Sequence, residues 1–177
     1  MSKKFQNKYR IESTRLQNWN YGWNADYFVT IKTKDRKPYF GKIVHGEMVL
    51  TKIGEIVQSE WLKTPDIRPD MNLKLGAWIV MPNHFHAIIT IGKNQYNLKQ
   101  NIGSKDAMHR ISTMHQFGAH RKNLASIIRG FKSSVTTYAQ KHHIIFGWQS
   151  RFYDRIINDS IDYMKCEHYI RNNPKNW

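Results

Sequence analysis

Two histidines separated by one residue, His84 and His86, lie in a stretch rich in β-branched and aromatic residues. This composition, introduced by Pro82 and Asn83, predicts a β-strand. Alternate residues of a strand project from the same face, so both imidazoles point to one side and Phe85 points to the other. Two neighbouring imidazoles can form half of a site for a divalent metal ion. Taken alone, the pair is more typical of two solvent-facing strand histidines.

A second group of reactive side chains lies in the C-terminal segment, which is predicted to be a helix from about residue 161 to residue 172. Asn158, Asp159 and Ser160 provide its N-terminal cap, and Pro174 terminates it. Tyr169 and Asn173 are four residues apart and therefore share a helix face. A tyrosine can act as a nucleophile and an amide oxygen can bind a metal ion. The alternative role of Tyr169 is a packed core aromatic, and that of Asn173 is a helix C-cap.

The charge of the chain indicates a polyanionic partner. The 177 residues, which suit one domain, contain 28 Lys and Arg against 13 Asp and Glu, a formal net charge of +15. Nucleic acid is the first expectation, an anionic membrane surface the second, and a merely soluble basic protein the alternative. No apolar run approaches the roughly 20 residues needed to span a bilayer, and the N-terminus lacks a signal-peptide pattern. The single cysteine, Cys166, excludes an intramolecular disulfide and a cysteine-based zinc cage, and favours an intracellular compartment.

The predicted elements alternate between strands and helices. In order they are a strand 27–32, a hairpin 40–44 and 47–50, a helix 51–63, strands 73–80 and 84–91, a helix 124–140, a strand within 144–157 and the last helix. The link between strands 73–80 and 84–91 is too short for a crossover, so the two strands must pair antiparallel. The order predicts an α+β fold, ferredoxin-like (RRM-like), with helices packed on an antiparallel sheet. Residues 1–24 are expected to form a basic arm, and residues 92–122 a long basic loop.

Four stretches in this order resemble the REP-associated tyrosine transposases, which belong with the single-tyrosine insertion-sequence transposases. They are Asp26–Ile31, Ala77–His86, Trp148–Ile157 and Tyr169–Pro174, and together they span nearly the whole chain. The Met-Pro-Asn-His-x-His and Tyr-Ile-x-x-Asn-Pro sequences are the specific ones. The pair His84 and His86 is similar to the histidine–hydrophobe–histidine (HUH) motif of single-strand DNA nucleases. The resemblance implies an HUH nuclease fold, with residues 25–177 as the catalytic domain.

The resemblance also implies roles for individual residues. His84 and His86 would be ligands of a divalent cation, Mg²⁺ or Mn²⁺, and Tyr169 the nucleophile that forms a 5′-phosphotyrosine. Asn173 stands where related transposases carry a glutamine ligand. Tyr153 is the second candidate nucleophile, and Tyr163 the third, because its spacing places it off the face that carries Tyr169.

The expected substrate is single-stranded DNA folded into hairpins. The candidate DNA-binding residues are Arg10, Arg15, Arg121, Lys122, Arg129 and Lys132, and the aromatic residues at positions 19, 21 and 23 are candidates for stacking on unpaired bases. The resemblance leaves open whether the protein is a monomer or a dimer that exchanges its last helix. It implies a cytoplasmic, nucleoid-associated location in a prokaryote, without a role at a membrane.

Two other functions are compatible with the same residues. A non-catalytic DNA- or RNA-binding module could use the same sheet without a metal ion. A zinc hydrolase is disfavoured, because no third acidic or histidine ligand lies at a typical spacing from His84 and His86.

Overall fold

The computed structural model describes residues 4–5, 8–9, 16, 19–98 and 121–177. The strands are β1 Lys4–Phe5, β2 Lys8–Tyr9, β3 Ala25–Lys32, β4 Gly41–Val44, β5 Glu47–Leu50, β6 Leu73–Met81, β7 His84–Ile91 and β8 Tyr153–Ile157. The α-helices are α1 Lys52–Leu62, α2 Thr64–Ile67, α3 Leu124–Lys141 and α4 Ser160–Asn172. Short 3₁₀ turns cover Lys34–Arg36, Pro69–Met71 and Asn173–Asn176.

The central sheet has four antiparallel strands in the order β6–β7–β3–β8. The chain enters it by β3, crosses through α1 to the hairpin β6–β7, and crosses back through α3 to β8. This βαββαβ path with the last strand beside the first is the ferredoxin-like arrangement. The predicted α+β fold class is therefore confirmed, including the antiparallel pairing of β6 and β7.

One face of the sheet carries the main hydrophobic core. Alternate residues of β3 and β7, among them Val29, Ile31 and Phe85, are fully buried on this face. Helices α1 and α3 cover it with Trp61 and Phe131, whose rings contact each other and Phe85. Phe85 therefore points away from the face that carries its two histidine neighbours, as the alternation predicted.

The opposite face is covered by α4. A smaller cluster of Phe28, Ile88 and Ile157 on the sheet packs against Cys166 and Ile170 of the helix. The helix begins where predicted, because the carboxylate of Asp159 accepts a hydrogen bond of 2.7 Å from the backbone N–H of Asp162. It packs against β6 and β7 of its own chain, so α4 and the histidines share one side of the sheet.

The segment 144–157 differs from its prediction as one returning strand. Only Tyr153–Ile157 is a strand, and the residues before it are irregular apart from a bridge between Trp148 and Thr33. Arg151 adopts a left-handed backbone with φ of 66°, which interrupts an extended chain. The Lys132 ammonium binds the carbonyl oxygens of Gln149 and Arg151, and this removes them from strand pairing.

The predicted N-terminal arm and basic loop are only partly within the described residues. Arg10, Arg15 and residues 99–120 of the loop lie outside them. The described end of the arm packs on the domain, since Trp19 contacts Trp23 edge to face and donates a hydrogen bond to the Tyr27 hydroxyl. Among the helices of the described ranges, none combines the length and hydropathy of a bilayer-spanning segment.

Candidate active site

Strand β7 places the two histidines side by side on the face covered by α4. The ring centroids of His84 and His86 are 4.5 Å apart, with the rings nearly perpendicular. Each Nδ1 atom has one partner. Nδ1 of His86 lies 2.8 Å from the hydroxyl of Thr30, which is opposite it on β3, and Nδ1 of His84 lies 2.8 Å from the side-chain oxygen of Asn83. These hydrogen bonds fix the orientation of both rings.

Burial keeps both imidazoles neutral. Desolvation, with a further contribution from Lys32, lowers the pKa of His84 to about 4, partly offset by a hydrogen bond with the Asn173 side chain. Desolvation, with smaller contributions from the neighbouring His84 and from Lys32, lowers the pKa of His86 to about 3. Both rings are therefore uncharged at neutral pH, the state in which an imidazole nitrogen can bind a metal ion.

Helix α4 brings the tyrosine and the asparagine to these rings. The Tyr169 ring centroid lies 5.3 Å from that of His86 and 6.0 Å from that of Phe28. Asn173, at the C-terminal cap of the helix, hydrogen-bonds His84 through its side chain. The four residues singled out in the sequence as metal ligands and nucleophile thus form one cluster, although they come from a strand and a helix more than eighty residues apart.

The candidate metal ligands in this cluster are two imidazole nitrogens and one amide oxygen. In the described part of the chain, no group of three or more His, Cys, Asp or Glu residues could hold a metal ion. Mixed nitrogen and oxygen ligation from His84, His86 and Asn173 suits Mn²⁺ and tolerates Mg²⁺, and a set of three leaves coordination positions for other oxygens. The cluster therefore fits the predicted divalent cation, whose presence stays a prediction.

A cleft of about 380 Å³ opens between β8, β3 and α4 beside His86. It is lined by Phe28, Thr30, His86, Tyr153, Arg155, Asp162, Lys165, Cys166 and Tyr169. Arg155 is held by an ion pair of 2.7 Å with Asp162. Lys165 is exposed and lies one helical turn before Tyr169. A phosphate group bound in the cleft would therefore lie near the solvent-exposed ammonium group of Lys165, beside Tyr169.

The two other candidate nucleophiles lie at different places. Tyr153 is on the same sheet face, opposite Thr30, and its side chain is 49% exposed, close to the 51% of Tyr169. None of the ring contacts found among the described residues joins Tyr153 to a histidine. Tyr163 does not line the cleft. Its hydroxyl lies against Gly76 of β6, and burial raises its pKa.

Four of the candidate DNA-binding residues lie within the described part of the chain, namely Arg121, Lys122, Arg129 and Lys132. Lys122 forms an ion pair with Asp70 and lies over the ring of Tyr96. Lys132 donates hydrogen bonds of 2.8 and 3.1 Å to backbone carbonyl oxygens, and burial lowers its pKa. Both cations thus have internal partners, whereas Arg121 and Arg129 are exposed. Helix α3, which carries Arg129 and Lys132, covers the opposite face of the sheet, so their role in DNA binding stays a prediction.

Sequence reasoning missed three side chains of this site. Thr30 is 56 residues from His86, and only the register of β3 with β7 brings them together. Lys165 shares the helix face of Tyr169 at a spacing of four, which could have identified it. Asn83 precedes the first histidine directly, but its interaction with that histidine depends on the turn between β6 and β7.

The sequence of this chain is similar to that of a known protein, and its fold is similar to that of a solved structure. No model of a known protein family matches the chain. An uncharacterized protein of Haemophilus influenzae is 34% identical over 169 residues, which cover 93% of this chain and 88% of that protein. The structure of a REP-associated tyrosine transposase bound to a REP hairpin superposes with a TM-score of 0.58 at 18% identity, over 94% of this chain and 74% of that one. A putative transposase from Deinococcus radiodurans reaches a TM-score of 0.38 at 15% identity, over 90% and 97% of the two chains.

The two kinds of likeness have different weight. At 18% identity, the likeness to the REP-associated tyrosine transposase shows that this chain has the same fold. The sequence match is long and close enough to show common membership of a family. The chain therefore belongs to the same protein family as the Haemophilus influenzae protein, and it has the fold of the REP-associated tyrosine transposase.

Proposed function

We propose that the protein is a metal-dependent endonuclease and strand transferase that cuts single-stranded DNA beside a hairpin. The observation that carries the proposal is the cluster of two neutral imidazoles, an amide and an exposed tyrosine at the edge of an open cleft. Further support comes from the fold, which is shared with a transposase bound to a REP hairpin. The net charge of +15 suits a nucleic acid substrate.

The proposed reaction starts with Tyr169 as the nucleophile. Its hydroxyl oxygen loses a proton and attacks the phosphorus of the scissile phosphodiester, forming a bond from that oxygen to phosphorus. The bond from phosphorus to the 3′ oxygen breaks, and that oxygen takes up a proton to become a free 3′-OH. The products are a 5′-phosphotyrosine and a 3′-OH, so the phosphodiester bond is exchanged and not hydrolysed.

Rejoining is the reverse of cleavage with a different strand. The 3′-OH of another DNA strand attacks the phosphotyrosine, the new phosphodiester forms, and Tyr169 leaves and is reprotonated. The covalent link conserves the energy of the original bond, so no nucleotide hydrolysis is needed. A free tyrosine is only about 0.1% ionised at neutral pH, which explains why the reaction would need help from neighbouring charge.

The divalent cation would be held by His84, His86 and Asn173. When bound, it would withdraw charge from the phosphoryl oxygens and align the phosphate with the tyrosine. The residues of the chain have separate roles. Burial keeps the imidazoles neutral, Thr30 orients His86, and Lys165 offers a positive charge to the phosphate one turn away from Tyr169.

Cleavage of a single-stranded DNA carrying a hairpin, in Mn²⁺, tests the proposal. His84→Ala is expected to abolish cleavage, while hairpin affinity, measured by fluorescence anisotropy, stays close to that of the wild type. His45→Asn is the matched control, because His45 lies in the β4–β5 turn with a φ of 51°, a conformation that asparagine tolerates. This variant should cleave the DNA at the wild-type rate.

Two results would contradict the proposal. The first is cleavage by His84→Ala or by wild type in the presence of a chelator. The second is hairpin binding by the wild type without cleavage in Mn²⁺ or Mg²⁺, which would favour the non-catalytic binding module. If His84→Ala fails to fold, His86→Gln, which can still hydrogen-bond Thr30, takes its place.

A further inference from the structure

The side-chain amide of Asn83 is hydrogen-bonded at both of its ends. Its Nδ2 atom donates to the backbone carbonyl oxygen of Arg36 at 3.2 Å, and its Oδ1 atom lies 2.8 Å from Nδ1 of His84. A carbonyl oxygen can only accept a hydrogen bond. The nitrogen of the amide must therefore face Arg36, and its oxygen must face the histidine.

This orientation determines where the proton of His84 lies. Because Oδ1 of Asn83 can only accept, Nδ1 of His84 must carry a hydrogen to form the bond. A neutral imidazole carries one hydrogen, so the lone pair is then on Nε2, and the amide of Asn173, the other hydrogen-bond partner of His84, would have to meet it through its N–H. We propose that Asn83 is a positioning residue that holds His84 in the Nδ1–H tautomer and so presents Nε2 to the metal ion. The inference rests on the metal role of His84 under the proposed function.

The backbone around Asn83 holds the arrangement in place. The carbonyl oxygen of Asn83 accepts hydrogen bonds from the backbone N–H of Thr33 at 3.0 Å and from the Thr33 hydroxyl at 2.9 Å. The turn that presents the Arg36 carbonyl is unusual, because Asp35 and Arg36 both adopt left-handed backbone conformations, with φ of 55° and 52°. Non-glycine residues keep such conformations only where the surroundings fix them.

The second histidine has no such constraint. Nδ1 of His86 faces the hydroxyl of Thr30, and a hydroxyl can either donate or accept. Either tautomer of His86 satisfies that bond, so His86 can adjust when a metal ion arrives. The two proposed ligands therefore differ: Asn83 holds His84 in one tautomer, whereas His86 can adopt either tautomer.

The tautomer of His84 is measured directly by ¹⁵N NMR of the imidazole nitrogens in the metal-free protein. The wild type is expected to show His84 with its hydrogen on Nδ1. Asn83→Asp keeps an acceptor for that hydrogen and loses only the donor to Arg36, so it should keep the same tautomer. In Asn83→Ala, His84 should no longer be held in the Nδ1–H tautomer and should show a mixture that includes the Nε2–H form. The signals of His86 serve as the internal reference.

Affinity for Mn²⁺, measured by calorimetry without DNA, is the second readout. Loss of a hydrogen-bond partner behind a metal ligand typically costs about 10–100-fold in affinity, and that loss is expected for Asn83→Ala but not for Asn83→Asp. Thr33→Val is the matched control. It removes the hydroxyl bonds to the carbonyl oxygens of Asn83 and Lys37 and leaves the amide of Asn83 untouched.

Three results would overturn the proposal. They are a wild-type His84 in the Nε2–H form, a tautomer and Mn²⁺ affinity unchanged in Asn83→Ala, or an equal loss in Thr33→Val, which would indicate a general effect of the turn. Should Asn83→Ala not fold, the wild type and Asn83→Asp still decide the tautomer. Since this readout uses metal-free protein, it stands even if no DNA is cleaved, so its failure is distinguishable from failure of the proposed function.

Discussion

Replacing Gly76 with alanine is expected to displace the helix that carries Tyr169 and Asn173. Gly76 lies in β6 at the irregularity between Leu75 and Trp78, under the first part of α4. A Cβ atom at this position would lie 2.5 Å from the hydroxyl oxygen of Tyr163 and 3.0 Å from two atoms of Ile88. The added methyl group therefore occupies space that the helix and the neighbouring strand now fill.

The size of the effect follows from these distances. Ordinary van der Waals contact begins at 3.4 Å, so the Tyr163 hydroxyl must retreat by about 0.9 Å, whereas Ile88 must yield only a few tenths of an ångström. Overpacking of this kind costs about 1–3 kcal/mol in the free energy of unfolding. At about 2–4 °C per kcal/mol for a chain of this size, the melting temperature should fall by roughly 2–12 °C. The obstructing atom is the tip of the Tyr163 side chain, so rotation of that side chain takes up part of the displacement. DNA cleavage should therefore slow by less than the roughly 100-fold that a 1 Å shift of the nucleophile would cause.

Thermal unfolding followed by circular dichroism and the rate of cleavage of hairpin DNA measure both effects. Tyr163→Phe removes the obstructing oxygen, so the double variant should recover much of the lost stability and rate. The coupling energy expected for such a contact is about 0.5–3 kcal/mol. The reasoning is refuted if Gly76→Ala has wild-type stability and rate, or if Tyr163→Phe restores neither.

Two further predictions concern the half-buried Lys132 and the stability of the protein at acidic pH. Lys132→Met is expected to lower the free energy of unfolding, measured by chemical denaturation, by about 1–3 kcal/mol, because it removes the cation bound to two carbonyl oxygens. The control is Arg129→Met at an exposed position of the same helix, and its free energy of unfolding should change by no more than about 0.5 kcal/mol. Equal losses in the two variants would contradict the structural role of Lys132. The unfolded chain binds protons at His84 and His86 near pH 6.5, whereas burial lowers their folded pKa values to about 4 and about 3. The free energy of unfolding is therefore retained above pH 6.5 and falls as the pH decreases from there, towards 4 for His84 and towards 3 for His86. At pH 5 the loss from His86 alone is about 2 kcal/mol, from 1.36 kcal/mol per pH unit. His86→Gln should flatten the profile measured by urea unfolding between pH 7 and pH 5, and an unchanged slope would show that His86 is not buried in its neutral form.

The features predicted correctly from the sequence are local ones. The alternation of a strand was enough to place His84 and His86 on one face and Phe85 on the other. The short link after β6 required an antiparallel hairpin. The helix predicted from residue 51 begins there, and Thr51 caps it by accepting a hydrogen bond from the Gly54 N–H. Each of these depends on interactions within a few residues of chain.

The features that escaped sequence reasoning depend on distant contacts. Residues 144–152 are aromatic and apolar like a strand, but Phe146 and Trp148 pack against the ring of Phe40. The Lys132 side chain, a candidate for DNA binding, binds the backbone carbonyl oxygens of Gln149 and Arg151, and no sequence pattern indicated these partners. The tertiary packing that determines these positions leaves no periodic signal in the sequence.

The position of Tyr169 could be predicted from the sequence only in part. Its spacing of four from Asn173 predicted a shared helix face, but no local pattern places that face on the histidines. The proximity to His86 arises from the packing of α4 on β6 and β7, through Ile170 and Cys166. For the same reason, the structure leaves Tyr153, which lines the same cleft, as the competitor that an experiment must separate from Tyr169.

Formation of a covalent protein–DNA adduct tests the central claim most directly. The wild type is incubated in Mn²⁺ with single-stranded DNA that carries a hairpin and a label on the 3′ side of the cleavage site, and the products are separated under denaturing conditions. The label should become covalently attached to the wild type and to Tyr153→Phe, which changes a tyrosine of the same cleft, and it should not become attached to Tyr169→Phe. An adduct with Tyr169→Phe, or its loss only in Tyr153→Phe, would contradict the assignment of Tyr169 as the nucleophile.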